Sequence, residues 1–172
     1  MKIIISLLIL FFTMSCSEKE NNEQDEQDEP FGFILETGVD FNLLNQERED
    51  LLNPLTPDYF PVENMKLYYL INGEKIEVYD PLMDSPRNII LITETTPYSL
   101  RCFTYAGLEG MTHEENGLKI GISITYLELN EEVIDTIKTE WSYREDTSFV
   151  NHMIWYNGVF HNPGDGIFEV IK

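Results

Sequence analysis

The Asn-Gly dipeptide occurs three times in this chain, at Asn72-Gly73, Asn116-Gly117 and Asn157-Gly158. A two-residue hairpin loop needs positive φ at both central positions, which Asn and Gly tolerate best. Such a pair between β-rich runs therefore marks a hairpin. The run 65–71, MKLYYLI, leads into the first pair and continues at 74–79. The last pair is expected to separate a strand at 149–156 from a final strand at 167–171. Further period-two segments fall at 39–44, 88–92, 98–105, 118–129 and 134–143. In 118–129, Ile120, Ile122, Ile124 and Tyr126 alternate with Gly121, Ser123, Thr125 and Leu127, which puts one face inside and one nearer water. In 134–143, Ile137, Thr139, Trp141 and Tyr143 alternate with Lys138, Glu140 and Ser142.

These segments predict an all-β chain of seven to nine short strands, an antiparallel β-sandwich spanning 31–172. The length suits one domain, and neither an internal repeat nor a second linker interrupts it. The stretch 43–52 is the one helix-like pattern, and Pro54 limits it to a turn or short helix. The connection 49–60 carries Pro54 and Pro57, with Leu51, Leu52, Leu55 and Phe60 as its expected plugs into the core. Asp80-Pro81 and Ser85-Pro86 flank a further loop.

The chain start is of another kind. Lys2 precedes ten largely apolar residues, 3–12, which is about half of the roughly 20 needed to span a bilayer. A short positive region, a compact apolar run and small residues after it describe a secretory signal peptide, 1–15. Thr13-Met14-Ser15-Cys16 resembles a bacterial lipoprotein lipobox, although Leu is commoner where Thr13 stands. That resemblance implies a lipid-modified Cys16 and an anchor in the membrane, since more than one acyl chain makes attachment stable. Residues 17–29, SEKENNEQDEQDE, hold seven acidic side chains and no apolar one. The segment 16–30 is therefore expected to be a disordered acidic tether. Glu18-Lys19-Glu20 resembles the export signal of Bacteroidetes surface lipoproteins, which implies an outer-membrane protein exposed at the cell surface, with a periplasm-facing tether of similar composition as the alternative.

Taken together, EDLLNPLTPDYF, MKLYYLINGEKIEVYDP, DSPRNIILI, DTIKTEW and the ending IWYNG…FEVIK look like a group of small acidic Bacteroidetes lipoproteins. The resemblance covers most of 35–172 and implies an immunoglobulin-like or transthyretin-like sandwich on a lipid tether. It carries over no catalytic residue.

Chemistry is sparse. With 31 Asp and Glu against 11 Lys and Arg the net charge is -20, which excludes an electrostatic nucleic-acid binder. Two cysteines exclude a disulfide-dense scaffold. His113, His152 and His161 have no metal-binding spacing. His152 reads as a strand residue alternating with Ile154 and Tyr156, whereas His113 and His161 read as solvated loop residues. Cys102 reads as a small buried hydrophobe. No Gly-x-Ser-x-Gly elbow or phosphate-cradling loop is present, so no catalytic residue and no cofactor is assigned. The carboxylate pairs Glu114-Glu115, Glu131-Glu132 and Glu145-Asp146 would serve a hydrolase only if the fold set two across a cleft. The segments 80–84 and 162–166 are oxygen-rich but lack the Asp-x-Asp-x-Asp-Gly calcium pattern, so no metal site is assigned. Asp135-Thr136-Ile137 resembles the O-glycan acceptor of the same bacterial group, provided that Thr136 is not buried.

Aromatics are the remaining lead. Tyr68 and Tyr69 are adjacent on one strand, as are Trp155 and Tyr156 on another, so one of each pair points away from the core. These four are the candidate contacts for a partner. The reading is a non-enzymatic, lipid-anchored envelope protein that presents its sandwich to a protein or glycan. A carboxylate-pair hydrolase and a protein that neutralises a basic toxin are the alternatives.

Overall fold

The computed structural model describes residues 32–172. The expected leader 1–15, the tether 16–30 and Cys16 lie outside the described residues. Twelve strands follow in chain order. They are β1 (Ile34–Glu36), β2 (Gly38–Leu44), β3 (Lys66–Ile71), β4 (Glu74–Glu77), β5 (Ile89–Ile92) and β6 (Ser99–Phe103). Then come β7 (Met111–Glu115), β8 (Leu118–Asn130), β9 (Val133–Arg144), β10 (Ser148–Tyr156), β11 (Val159–His161) and β12 (Phe168–Ile171). Among the described residues no helix is long and apolar enough to cross a membrane, and the only helical turns are three short 3-10 segments.

The fold is an all-β sandwich of two sheets. In the larger, β1, β10, β9, β8, β3 and β4 are neighbours in that order, with β11 also on β10 and β7 also on β8. The smaller runs β12, β2, β6, β5. The long strands β8 and β9 are 13 and 12 residues, so one edge of β8 pairs with β7 near its start and with β3 further on. Seven to nine short strands are thus too few, and the sandwich is not wholly antiparallel. β1 runs parallel to β10, and β12 runs parallel to β2.

All three Asn-Gly pairs form hairpin turns with positive φ at both residues, 52° and 85° at Asn72-Gly73 for example. The second joins β7 to β8, and the third joins β10 to β11. The expected final strand after Asn157-Gly158 is corrected accordingly: β12 crosses to the smaller sheet and lies beside β2. The helix-like stretch 43–52 is no helix. Leu43 and Leu44 end β2, and the chain then turns so that Leu44 bridges Asp50. Of the four expected plugs, Leu51 and Leu52 are buried and Phe60 packs against the core, but Leu55 is 91% exposed.

The core fills the space between the sheets. Val39, Phe41, Leu43, Leu100 and Cys102 come from the smaller sheet, and Leu67, Leu127, Leu129, Ile137, Ile154 and Tyr156 from the larger. Every one of these residues falls within the compact unit Phe31–Lys172. Burial pushes the Cys102 thiol far above its ordinary value, which leaves it a core side chain with no nucleophilic character.

All three histidines depart from expectation, His113 only in lying exposed on the strand β7 instead of in a loop. His161 is a strand residue, half-buried, with its ring stacked on Phe168 at 3.8 Å and 15°. The stack ties β11 of the larger sheet to β12 of the smaller. Burial holds the His161 pKa below its ordinary value of 6.5, so the folded state prefers the neutral ring. The stability from this group is present above that value and is lost as pH falls through the lowered one. Thermal melts should therefore show a larger fall in Tm from pH 7 to pH 5 for the native chain than for His161→Phe. His152 does not share a face with Ile154 and Tyr156. A β-bulge between Asn151 and Met153 shifts the register, so His152 is exposed and bonds Ser142 Oγ through Nε2.

Candidate functional site: the outer face of the larger sheet

In β8 the buried positions are Gly121, Ser123, Thr125, Leu127 and Leu129. The isoleucine face, Ile120, Ile122 and Ile124, is the one turned outward, and Tyr126 continues it. This orientation is enforced from within. Trp141 of β9 stands directly opposite Gly121, fully buried, with its ring 4.9 Å from Phe149. Ser123 and Thr139 face each other at 2.7 Å between their hydroxyls. Small residues on β8 make room for the indole, and the branched residues are left on the other side.

Cross-strand partners share a face, so the registers define what surrounds the isoleucines. Ile124 pairs with Lys138, and Lys138 with Trp155. Ile122 pairs with Glu140, and Glu140 with Met153. Tyr126 pairs with Tyr68, and Tyr68 with Glu77. Phe160 of β11 stands opposite Trp155, with ring centroids 5.7 Å apart. The outer face is therefore an aliphatic row with aromatic flanks, its isoleucines half-buried among their cross-strand neighbours.

Charged groups on the face are fixed in place. Tyr68 Oη donates to Glu128 Oε2 at 2.9 Å, and Lys66 Nζ lies 3.2 Å from Glu128 Oε1. Burial and then that hydrogen bond raise the Tyr68 pKa, and the bond to Glu128 raises Lys66. Lys75 Nζ sits 4.3 Å from the Tyr126 ring centre and 5.1 Å from that of Tyr68. Lys138 Nζ sits 4.6 Å from the Trp155 ring. Lys66, Lys75 and Lys138 thus stand against Glu77, Glu128 and Glu140. In a chain of net charge -20 this face is locally balanced.

Two of the four aromatics singled out from the sequence, Tyr68 and Trp155, belong to this face. Tyr69 and Tyr156 turn inward. Tyr69 Oη donates to the Phe103 carbonyl and accepts from Asn88 Nδ2, both at 2.9 Å. Tyr156 Oη donates to Asp135 Oδ2 at 2.5 Å. Tyr126, the three isoleucines and Phe160 were not singled out. The alternation in β8 contained the signal for four of them, but not which side it faced.

The other candidates are dispersed. Glu114-Glu115 lie on β7, Glu131-Glu132 and Glu145-Asp146 on turns, and all six side chains are exposed. Asp80 Oδ1 accepts from the Leu82 N–H and Asn162 Oδ1 from the Gly164 N–H, so both oxygen-rich segments bond their own backbone. Among the described residues no three of His, Cys, Asp and Glu converge as metal ligands would. His113 is exposed on β7 with Glu115 3.6 Å away. Thr136 is half-buried inside β9, with its N–H and carbonyl both bonded to Asn157. No family model, curated protein or solved structure matches the chain.

Proposed function

We propose that this is a lipid-anchored envelope protein without enzymatic activity, held at the outer membrane through Cys16, which docks a protein partner on the outer face of its larger sheet. The observation that carries the reading is the outward row of Ile120, Ile122 and Ile124 between Tyr68, Tyr126 and Trp155. An apolar centre rimmed by fixed charges is the anatomy of a protein interface.

A glycan fits this face less well. Sugar rings stack on bare aromatic faces, and here lysine ammonium groups lie over Tyr68, Tyr126 and Trp155. A basic toxin fits less well too, because three lysines balance three glutamates and leave no field to steer a cation.

The test is site-specific photocrosslinking in intact cells of the source bacterium. A benzophenone side chain at Ile122 should give one discrete protein adduct, and the same group at the exposed Leu55 should give none. Equal adducts from both positions, or none from Ile122, would refute the docking face. The anchor is checked separately: Cys16→Ser should abolish palmitate labelling and move the protein out of the membrane fraction.

A further inference from the structure

A cavity of about 580 Å³ opens where β1, the loop 82–88 and the end of β6 meet, away from the isoleucine face. The geometry points to this cavity as a binding site for a small apolar molecule that carries a hydrogen-bond donor and no negative charge.

Size comes first. Ligand sites usually enclose about 300–1,000 Å³ and combine apolar walls with a few placed polar groups. The walls here are Leu35, Leu82, Met83, Ile90 and Phe103. Four of them are conspicuously open to solvent: Leu82 is 93% exposed, and Leu35, Met83 and Ile90 also count among the exposed large hydrophobics. They come from three separate parts of the chain, yet all line the same cavity. An apolar occupant would cover all four at once.

Polarity selects the ligand further. Asn88 holds a left-handed backbone conformation at φ 55°, and its Nδ2 donates to Tyr69 Oη. Tyr69 Oη is fixed in turn by its bond to the Phe103 carbonyl. The Asn88 amide is thus oriented, and no donor among the described residues reaches its Oδ1. Thr104 Oγ1 is already engaged, donating to the Thr37 carbonyl and accepting from Asn151 Nδ2. The open group is therefore an acceptor, which asks for a donor on the ligand. Asp84 is the one ionisable carboxylate of the lining, and among the described residues no Lys, Arg or His lines the cavity. An anion would meet a carboxylate, no cation, and a protein of net charge -20.

The test uses the chain from Ser17 onward, because the whole core lies within Phe31–Lys172. Two dyes share an arylaminonaphthalene body with one N–H. N-phenyl-1-naphthylamine is neutral, and 8-anilinonaphthalene-1-sulfonate is an anion. Fluorescence titration should show saturable one-site binding of the neutral dye and binding of the sulfonate that is about tenfold weaker. Leu82→Asp, at a fully solvated position that cannot disturb folding, should weaken the neutral dye about tenfold. Ala106→Trp, on the rim, should abolish binding while the melting curve stays as in the native chain. Ile122→Glu, on the docking face, should leave the titration unchanged. Equal affinity for the two dyes would overturn the assignment, as would no saturable binding. Retention in both Leu82→Asp and Ala106→Trp, or loss in Ile122→Glu, would overturn it as well.

Discussion

Asp135→Ala should lower the folding stability by about 3–5 kcal/mol, the range found when one partner of a buried ion pair is removed. Asp135 is 3% exposed and gathers three donors, two from the adjacent residues Tyr156 and Asn157 and one from Lys172. Tyr156 Oη and Lys172 Nζ both reach Oδ2, and Asn157 Nδ2 reaches Oδ1 at 2.7 Å. Asp135 and Tyr156 belong to neighbouring strands of the larger sheet. Lys172 follows β12 of the smaller sheet, and its N–H is bonded to the Leu44 carbonyl at 2.8 Å. The carboxylate therefore clamps one sheet to the other. Removing it strands a buried phenol and a largely buried ammonium, each of which loses its partner without regaining water. Asp135→Asn keeps the shape and one acceptor but drops the charge, and should cost less than half as much. Urea unfolding of the native chain and both variants measures the order directly. A cost below about 1 kcal/mol for Asp135→Ala would mean the clamp contributes no more than an exposed pair does.

How far the sequence could be read follows from what each strand is held by. β2, β3, β8, β9 and β10 bury one face, so selection leaves alternating residues in them, and their bounds fall within a residue or two of expectation. β1 and β7 are exposed at every position, and β11 at two of its three. Such strands are held by backbone pairing along an edge and carry no alternation, so only a turn signal beside them can mark them, as Asn72-Gly73 does for the equally exposed β4. Asn116-Gly117 likewise pointed to β7, because a hairpin turn needs a strand on each side. The parallel pairings of β1 with β10 and of β12 with β2 join segments more than a hundred residues apart. No local signal encodes them.

The candidate site was half legible for a related reason. Adjacency on a strand forces Tyr68 and Tyr69 to opposite sides, and likewise Trp155 and Tyr156, whatever the rest of the fold does. Which member faces outward depends on the register with the neighbouring strand, β8 for the first pair and β9 for the second, and β8 is where hydropathy misleads. Its more apolar face, Ile120 to Ile124, is the outer one, and its inner face includes Gly121, Ser123 and Thr125. The deciding partner is a single bulky residue on the next strand, Trp141, which period-two counting within β8 cannot detect.

Gly121→Ala tests that explanation, and should cost about 3 kcal/mol, at the upper end of what overpacking a core usually costs. An added Cβ would fall into the Trp141 ring, 2.6 Å from Cε2, and equally close to the Gly110 carbonyl oxygen. The indole has nowhere to go, because Phe149 lies behind it and the ring is fully buried. A loss of this size lowers Tm by roughly 10 °C in a domain of this length. Trp141→Phe alone should also destabilise, by leaving a cavity. Combined with Gly121→Ala, however, it should cost less than the sum, since the smaller ring vacates the space the methyl needs. Additive losses in that double-mutant cycle would break the link between the two residues. Coupling of the expected sign would show that a glycine facing inward, opposite a tryptophan, sends the isoleucines of β8 outward. The same variant should weaken the benzophenone adduct at Ile122, because a strand pushed off the indole carries the docking face with it.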